Sequence, residues 1–325
     1  MKKKKKRVIL LLIAMALLLL GVGFFLKEKG KWQSLSTQFQ ESGRKDIIVY
    51  NGKKYRYNDD LSNYLFLGID TKNPVEQYEV RGEAGQADAI YLLSYNRQDK
   101  SVQYLAIPRD TMADIRVIGP DGTELGTNKD QITLQYAFGA GKRDSCELMK
   151  EAVSNLLYGI PIQGYCALNI DGIPIATDKI GGVDLIVPDN TLVEMNPDFF
   201  EGNKVTITKE TAEQFVRYRD TEKTQSAIAR LDRQKVFVEA YAQKAKTLFK
   251  KDPDILADIY ESVEDYMVTN MNVELFAEIA KVADISGEKI QNIPGKGIDG
   301  GEFDEYYVNE GQLQELILQM FYEEM

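Results

Sequence analysis

The chain has 325 residues and a formal net charge of −10, with 40 Lys+Arg against 50 Asp+Glu. It contains no histidine, which excludes a Ser-His-Asp triad, a Cys-His dyad and a His-ligated zinc site. The acidic excess argues against a nucleic-acid partner, because nucleic-acid-binding surfaces are basic.

The N-terminus joins a basic segment to an uncharged one. Residues 2–7 are all Lys or Arg, and residues 8–26 carry no charge. At about 1.5 Å rise per residue, a helix over the uncharged segment matches a hydrocarbon core roughly 30 Å thick. Basic flanks stay in the cytoplasm, so we predict a cytoplasmic tail (1–7), a single transmembrane anchor (8–26) and an extracytoplasmic remainder. The alternative, a signal peptide cleaved near Gly21 and Gly23, also exports the rest of the chain.

The exported part is more acidic than the whole. Six of the 40 basic residues precede residue 27, which leaves 34 Lys+Arg against 50 Asp+Glu. The polar residues 27–58 predict a stalk, and residues 59–325 predict one domain, because no linker-like segment or repeat interrupts them. Export permits a disulfide between Cys146 and Cys166. Two cysteines beside helix and strand patterns are about as often small buried apolar residues, so both readings stay open.

Three apolar segments predict strands. Residues 64–69 form one buried strand, and residues 88–95 and 102–107 form a hairpin around the turn-like residues 96–100.

This arrangement brings charged residues to one edge of a sheet. Hairpin geometry places Asp88 beside Arg109, which follows the second strand of the hairpin. If the strand ending at Asp70 runs parallel to that second strand, Asp70 reaches the same edge. Open α/β sheets usually bind ligands at strand ends.

The rest of the chain alternates between strand and helix patterns. Residues 144–147 (Asp-Ser-Cys-Glu) predict a capping box that opens a helix to about Tyr158. Further predicted elements are a strand at 164–170, a short helix at 174–180, a strand at 183–187, helices at 209–218 and 226–249, and two or three amphipathic helices around a Gly-rich loop at 295–301. This alternation predicts an α/β fold.

Residues 217–235 reverse the acidic character of the domain. They contain six basic residues against three acidic ones; the basic ones are Arg217, Arg219, Lys223, Arg230, Arg233 and Lys235. A guanidinium pairs bidentately with phosphate, so an arginine cluster in an acidic domain predicts a small anion site. Asp70 and Asp88 suit Mg²⁺, which prefers one or two carboxylates plus phosphate oxygens. These residues also have purely structural explanations. Arg217 and Arg219 could be the cationic end of a helix, and the two aspartates could pair with surface lysines.

The order of these motifs resembles the LytR-CpsA-Psr family of envelope proteins. The matching segments are 65–70 (Leu-Phe-Leu-Gly-Ile-Asp), 87–90 (Ala-Asp-Ala-Ile), 106–111 (Ala-Ile-Pro-Arg-Asp-Thr), 180–183 (Ile-Gly-Gly-Val), 215–219 (Phe-Val-Arg-Tyr-Arg) and 230–234 (Arg-Leu-Asp-Arg-Gln). Together they cover roughly residues 59–325.

The resemblance implies an α/β/α sandwich with a mixed central sheet and an apolar pocket for a polyprenyl chain. It implies a phosphotransferase that moves an anionic glycopolymer, such as a teichoic acid or capsular polysaccharide, from a polyprenyl-pyrophosphate carrier to peptidoglycan. It assigns Mg²⁺ (or Mn²⁺) to Asp70 and Asp88, and catalytic roles to Asp88, Arg109, Arg217 and Arg219. The pyrophosphate would be held by Arg109, Arg217, Arg219, Arg230, Arg233 and Gln234.

Three departures from the family pattern favour an alternative, a non-catalytic protein that binds the lipid pyrophosphate or acts as an envelope scaffold. Gln86 stands where the family usually has an arginine, and Arg81 is the nearest arginine before it. Ala227 stands where an aspartate is usual, and the segment 131–139 is altered. The general base stays open between Asp110 and Asp220.

Overall fold

The computed structural model describes residues 46–219, 226–282, 290–301 and 303–325. The chain divides into two compact units, a larger one over residues 59–309 and a smaller one that combines residues 46–58 with 310–325. The predicted tail (1–7) and anchor (8–26) lie outside the described residues. No helix in the described ranges is long and apolar enough to cross a membrane.

The structure contains fifteen described strands. They are β1 (Ile47–Tyr50), β2 (Lys53–Tyr57), β3 (Leu61–Ile69), β4 (Ala87–Asn96), β5 (Val102–Ala106), β6 (Met112–Ile118), β7 (Glu124–Gln131), β8 (Gly164–Asn169), β9 (Val183–Ile186), β10 (Lys204–Ile207), β11 (Met267–Thr269), β12 (Ile290–Asn292), β13 (Gly295–Asp299), β14 (Asp304–Val308) and β15 (Tyr322–Glu324).

Eight α-helices are described. They are α1 (Leu134–Ala137), α2 (Lys142–Leu156), α3 (Gly172–Lys179), α4 (Lys209–Arg217), α5 (Ser226–Phe249), α6 (Ile255–Val263), α7 (Val273–Val282) and α8 (Glu310–Phe321). The long helix predicted over 226–249 is confirmed at both ends, and a short 3₁₀ helix, Glu264–Tyr266, follows α6.

The larger unit is built on a six-stranded sheet in the order β11-β8-β3-β4-β5-β12. The pairs β3–β8 and β5–β12 are parallel and the other neighbours are antiparallel, so the predicted mixed sheet is confirmed. Seven of the nine residues of β3 are buried, on both faces of the strand, which shows that the centre of the sheet is covered on both sides.

The predicted hairpin is confirmed by the pairing of β4 with β5. Tyr91 lies opposite Ala106, and the N–H of Ile107 donates to the carbonyl of Ile90 at 3.0 Å, so the chain after β5 runs beside the start of β4. Since β3 and β5 are both antiparallel to β4, they run in the same direction. Their carboxyl ends therefore reach one edge of the sheet, as predicted.

The described residues of the larger unit also form three two-stranded antiparallel sheets. The pairs are β6–β7, β9–β10 and β13–β14. The hairpin β6–β7 is absent from the sequence prediction, because β7 is a polar strand, mostly exposed, without an apolar alternation. The pair β13–β14 occupies the segment predicted as a Gly-rich loop, so that prediction is wrong; Gly301 serves the turn between the two strands with φ of 88°.

The predicted capping box before α2 is also wrong. The helix begins at Lys142, and Asp144 already lies in its first turn. Asp144 Oδ2 accepts the N–H of Ala140 at 2.8 Å, and Ser145 Oγ accepts the N–H of Gly141 at 3.0 Å. Both side chains therefore bind the chain that precedes the helix. Gly141 has φ of 80°, which permits the sharp entry into α2.

The smaller unit is a sheet of three strands in the order β1-β2-β15, with α8 in the same unit. Ile48 is fully buried, and the rings of Tyr57 and Tyr322 meet edge to face at 5.6 Å between centroids. Residues 46–58 fall in the segment predicted as a stalk, and residues 310–325 in the segment predicted as one domain with 59–309. Local sequence does not reveal this sheet, because β2 pairs with a strand from the other end of the chain.

Cys146 in α2 and Cys166 in β8 are both buried and unpaired. Burial raises the pKa of each thiol from 9.0 to about 12, which leaves almost no thiolate at pH 8. We expect neither thiol to react with iodoacetamide at pH 8 in the native protein, and both to react in urea. Above pH 9 the unfolded chain loses protons that the native state retains, so stability should fall between about pH 9 and pH 12. Rapid native labelling, or fewer than two reactive thiols in urea, would contradict this arrangement.

Candidate functional site

The charged edge of the sheet forms one wall of a cavity of about 690 Å³. Asp70 follows β3, Asp88 lies at the start of β4 and Arg109 follows β5. Six of the predicted site residues line this cavity: Asp70, Asp88, Arg109, Arg217, Arg219 and Arg230. The structure therefore brings together residues that lie up to 160 positions apart in the chain, which is what a pyrophosphate–metal site requires.

Asp88 lies between two arginines. Arg109 Nη1 donates to Asp88 Oδ1, and Arg230 Nη1 donates to Asp88 Oδ2 at 2.8 Å. The side chains are only 13% (Arg109), 15% (Asp88) and 4% (Arg230) exposed, so water competes little for these bonds. Burial lowers the pKa of the Arg230 guanidinium, and Asp88 opposes that shift.

Arg230 also carries a nitrogen without a hydrogen-bond partner. Its Nη2 is buried and makes no hydrogen bond with the described residues, whereas the buried Nε of Arg109 lies 3.3 Å from Asp110 Oδ1. An unsatisfied buried donor on a charged group is costly, and native structures rarely retain one unless a ligand, ion or water supplies the acceptor. Arg230 also lines the cavity.

Asp70 is held by two hydrogen bonds to the backbone of Gln86, the residue that precedes β4. Its Oδ1 accepts the N–H of Gln86 at 2.7 Å, and its own N–H donates to the carbonyl of Gln86 at 3.1 Å. Gly85 has φ of +83°, and a Cβ there would lie 2.7 Å from Asp70 Oδ1 and 2.0 Å from Thr71 Oγ1. Only glycine fits this position, because it combines a left-handed backbone with close approach to a carboxylate.

The carboxylates suit a hard divalent cation only with help from a ligand. Asp70 Oδ2 accepts no hydrogen bond from the described residues, whereas both oxygens of Asp88 accept from arginines. Within the described ranges, no group of three or more acidic or cysteine side chains is arranged to hold a metal ion. Mg²⁺ often uses one or two carboxylates plus phosphate oxygens and water, so Asp70 and Asp88 fit it when a phosphorylated ligand is present.

Arg217 and Arg219, at the end of α4 and just after it, also line the cavity. Arg217 Nη1 donates to Glu213 Oε1 at 3.0 Å, and Lys72 Nζ lies 2.9 Å from the same oxygen. Partial burial acts to raise the pKa of Glu213, but the bonds from Lys72 and Arg217 lower it below its ordinary value. Arg217 is 44% exposed, so an incoming anion can compete with Glu213 for it.

The structure places Arg233 and Gln234 away from the cavity lining. Arg233 is 1% exposed; its Nε donates to the carbonyl of Phe215 at 3.3 Å, and its Nη atoms donate to Thr191 Oγ1 and to the carbonyl of Tyr218. Gln234 Nε2 donates to the carbonyl of Val216 at 3.1 Å. Both side chains therefore hold the C-terminal end of α4, the helix that ends at Arg217.

Asp110 lies behind Arg109. Its Oδ1 is 3.3 Å from Arg109 Nε, and it is 7% exposed. Burial raises the pKa of Asp110, while Arg109, Arg219 and Arg230 oppose that shift. Asp110 is not among the residues that line the cavity, which favours a role in orienting Arg109. The other candidate base, Asp220, lies outside the described residues.

The structure shows the contacts of Gln86 and Arg81, which concern the first departure from the family pattern. Gln86 Oε1 accepts a hydrogen bond from Arg109 Nη2. Arg81 does not take the place of the expected arginine, because its Nη1 is engaged with Asp144 and with the carbonyl of Phe138 at 2.9 Å. The side chain of Ala227 lies outside the described residues.

The altered segment 131–139 supports the site from behind. Thr133 N–H donates to the carbonyl of Arg109 at 3.2 Å, and Thr133 Oγ1 donates to the carbonyl of Ala87 at 3.0 Å. Sequence reasoning missed this role, since a single threonine carries no signal for it. It also missed Glu213, although the i,i+4 spacing of Glu213 and Arg217 on a predicted helix was available.

Fold and site together define a mixed α/β protein with a cavity of aspartates and arginines at one sheet edge. The chain belongs to the LytR_cpsA_psr family, whose profile matches residues 25–321.

Relatives with similar sequences are named as teichoic acid transferases. The chain is 28% identical over 261 residues to the polyisoprenyl-teichoic acid–peptidoglycan teichoic acid transferase TagU of Bacillus cereus, covering 78% of this chain and 75% of that protein. It is 26% identical over 252 residues to the TagU of Halalkalibacterium halodurans, covering 75% and 73%. The crystal structure of Bacillus subtilis TagV has the same fold, with a TM-score of 0.59 at 22% identity, covering 81% of this chain and 98% of that chain.

Proposed function

We propose that this protein is a membrane-anchored phosphotransferase. It moves an anionic glycopolymer, of teichoic acid or capsular polysaccharide type, from a polyprenyl-pyrophosphate carrier to peptidoglycan. The observation that carries the proposal is the cavity in which two aspartates and four arginines from five segments converge. Membership of a family whose relatives are named teichoic acid transferases supports the same class of reaction.

The arginines of the cavity favour a phosphate ligand, because a guanidinium pairs bidentately with phosphate oxygens. Four guanidiniums line the cavity together with four carboxylates, those of Asp70, Asp88, Glu210 and Glu213, and Arg217 is paired with Glu213. Phosphoryl transfer depends mainly on positioning and on electrostatic stabilisation of the phosphate oxygens, which such a cluster supplies. We assign Arg109 and Arg230 to the phosphate nearer the sheet edge, and Arg217 and Arg219 to the other phosphate.

In the proposed reaction a sugar hydroxyl of peptidoglycan attacks the phosphorus that bears the polymer. A new O–P bond forms, the bridging P–O bond of the pyrophosphate breaks, and the polyprenyl phosphate leaves. The hydroxyl proton is released, and no oxidant or reductant is required. Asp70 and Asp88 would hold Mg²⁺ (or Mn²⁺), which when bound would neutralise charge on the phosphate oxygens.

We also propose that residues 8–26 anchor the protein in the cell membrane, with residues 1–7 in the cytoplasm and the main part outside. This placement rests on the basic flank and the uncharged nineteen-residue segment. It would keep the cavity on the side of the membrane where peptidoglycan lies.

The proposal predicts Mg²⁺-dependent release of phosphate from a polyprenyl pyrophosphate by the full-length protein in detergent. In this assay water replaces the sugar hydroxyl and attacks the terminal phosphorus, and polyprenyl phosphate is the second product. Asp70→Asn should reduce the rate roughly 100-fold or more, because it removes one of two carboxylates available to the cation at an electrostatically organised site. Initial rates of inorganic phosphate release, with and without Mg²⁺, measure both effects.

Asp114→Asn is the matched control. Asp114 lies on β6, its side chain is 72% exposed, and its ion pair with Lys129 is long, at 3.9 Å. It should release phosphate at the wild-type rate. Binding of the lipid without release by the wild-type protein would make the molecule a carrier-binding protein, the alternative that the three sequence departures favour. Release that is unaffected by Asp70→Asn would remove Asp70 from the site.

A further inference from the structure

Gln86 touches both halves of the charged site. Its backbone N–H donates to Asp70 Oδ1 at 2.7 Å, and its side-chain Oε1 accepts from Arg109 Nη2. One residue therefore connects the carboxylate that follows β3 with the arginine that follows β5. Gln86 does not line the cavity, so any effect on a ligand must pass through these two neighbours.

The amide completes the set of acceptors around the Arg109 guanidinium. Asp88 accepts from Nη1, Gln86 accepts from Nη2, and Asp110 Oδ1 lies 3.3 Å from Nε. A guanidinium is planar, so acceptors on both Nη atoms fix its rotation as well as its position. Without the Gln86 amide, Arg109 Nη1 would still be held by Asp88, but Arg109 Nη2 would lose its hydrogen-bond acceptor.

An arginine at position 86, which the family resemblance predicts, would not reproduce this contact. A guanidinium has five donors and no acceptor, so it cannot receive the hydrogen bond from Arg109 Nη2. It would also place a second positive charge against a side chain that is only 13% exposed. In this chain the glutamine and the orientation of Arg109 are thus mutually dependent.

We infer that Gln86 is a positioning residue whose side chain fixes Arg109 in its productive orientation, while its backbone N–H holds the carboxylate of Asp70. The role rests on the proposed phosphotransferase function, which it deepens. This role explains why a glutamine can function at position 86, where the family resemblance predicts an arginine. A neutral acceptor holds Arg109 without adding a negative charge that would repel the phosphate groups.

Three substitutions separate positioning from a lost catalytic arginine. Gln86→Leu removes the acceptor and should lower kcat roughly 10- to 100-fold, as expected for losing a hydrogen bond to a charged group. Gln86→Glu keeps an acceptor, so kcat should recover to within about threefold of wild type, while KM for the anionic lipid rises roughly tenfold. Gln86→Arg should lower kcat at least as far as Gln86→Leu.

The measurement is phosphate release from a polyprenyl pyrophosphate by the full-length protein, with kcat and KM determined for each variant. Gln98→Leu, in the exposed turn between β4 and β5, is the control and should match wild type. Faster turnover by Gln86→Arg would overturn the inference, because it would mean that position 86 had simply lost a catalytic arginine. Equal kcat values for Gln86→Leu and Gln86→Glu would overturn it as well.

A second arm does not depend on turnover. The melting temperatures of Gln86→Leu, Arg109→Met and the double variant form a thermodynamic cycle that measures the coupling between the two side chains. Positioning predicts a double variant whose loss of stability is clearly smaller than the sum of the single losses. Additive losses would show that the contact does not hold Arg109.

Magnesium pyrophosphate binding by calorimetry tests the same inference at the ligand. Gln86→Leu should weaken binding several-fold, and Gln98→Leu should not change it. If wild type binds pyrophosphate but shows no turnover, the phosphotransferase function fails while coupling and affinity still decide the role of Gln86. Unchanged affinity together with additive stability losses would refute that role.

Discussion

Asp88→Asn is expected to lower the free energy of unfolding by about 3–5 kcal/mol and to abolish turnover. Asp88 accepts from Arg109 on one oxygen and from Arg230 on the other, and Arg230 is 4% exposed. An asparagine offers one oxygen and one NH₂ group, so one guanidinium would face a donor. Arg230 would then lose its carboxylate partner, and Arg109 would keep only Asp110, which lies 3.3 Å from its Nε. Removing one partner of a buried ion pair is strongly destabilising because it leaves a buried charge uncompensated.

Urea unfolding followed by circular dichroism measures the stability effect, and phosphate release measures the catalytic one. The double variant Asp88→Asn with Arg230→Met should recover part of the stability, because it removes the guanidinium that Asp88→Asn leaves without its carboxylate partner. Added pyrophosphate should stabilise Asp88→Asn more than wild type, since it supplies the missing negative charge. If Asp88→Asn lowered the free energy of unfolding by less than about 1 kcal/mol, the ion pairs of Asp88 would be as weak as those on a protein surface, where water screens the charges.

The charged edge of the sheet could be predicted because strand geometry carries side chains to known places. A hairpin fixes which residues lie opposite each other, so Asp88 beside Arg109 followed from the positions of β4 and β5. Asp70 followed from the direction of β3. The exact position of Asp70 also depends on the register shift between Gly68 and Ile69 and on the left-handed backbone of Gly85. Neither feature can be recognised from the pattern of apolar residues.

The arginines of α5 show where prediction from sequence stops. Arg230 and Arg233 are three residues apart on one helix, and the sequence indicates adjoining faces. In the structure Arg230 reaches Asp88 of β4, whereas Arg233 reaches the carbonyls of Phe215 and Tyr218 at the end of α4. The helical pattern of a sequence specifies on which face of the helix a side chain lies. It does not specify which other helix or strand packs against that face.

Pairings between distant segments were missed for a related reason. The strands β1 and β2 join β15, and Tyr306 of β14 donates its N–H to the carbonyl of Asp110 at 2.8 Å, directly after Arg109. Each contact joins segments about 200 residues or more apart. Their local sequences are polar or short, so the pairing is determined by tertiary packing rather than by periodicity.

Arg233→Lys is expected to destabilise the protein by about 3 kcal/mol while leaving pyrophosphate affinity within about threefold of wild type. A lysine keeps the positive charge but presents one nitrogen, which cannot reach Phe215 O, Tyr218 O and Thr191 Oγ1 together. Burial already lowers the pKa of Arg233, with Asp189 opposing the shift, so an ammonium there gains little compensation.

Arg230→Lys is the matched comparison on the same helix. It should weaken magnesium pyrophosphate binding roughly 10-fold or more, since Arg230 lines the cavity and holds an unpartnered buried donor. Chemical unfolding and calorimetry on both variants separate a residue that holds α4 from one that holds the ligand. A large loss of affinity for Arg233→Lys without a loss of stability would restore Arg233 to the pyrophosphate-binding set that the family resemblance implies.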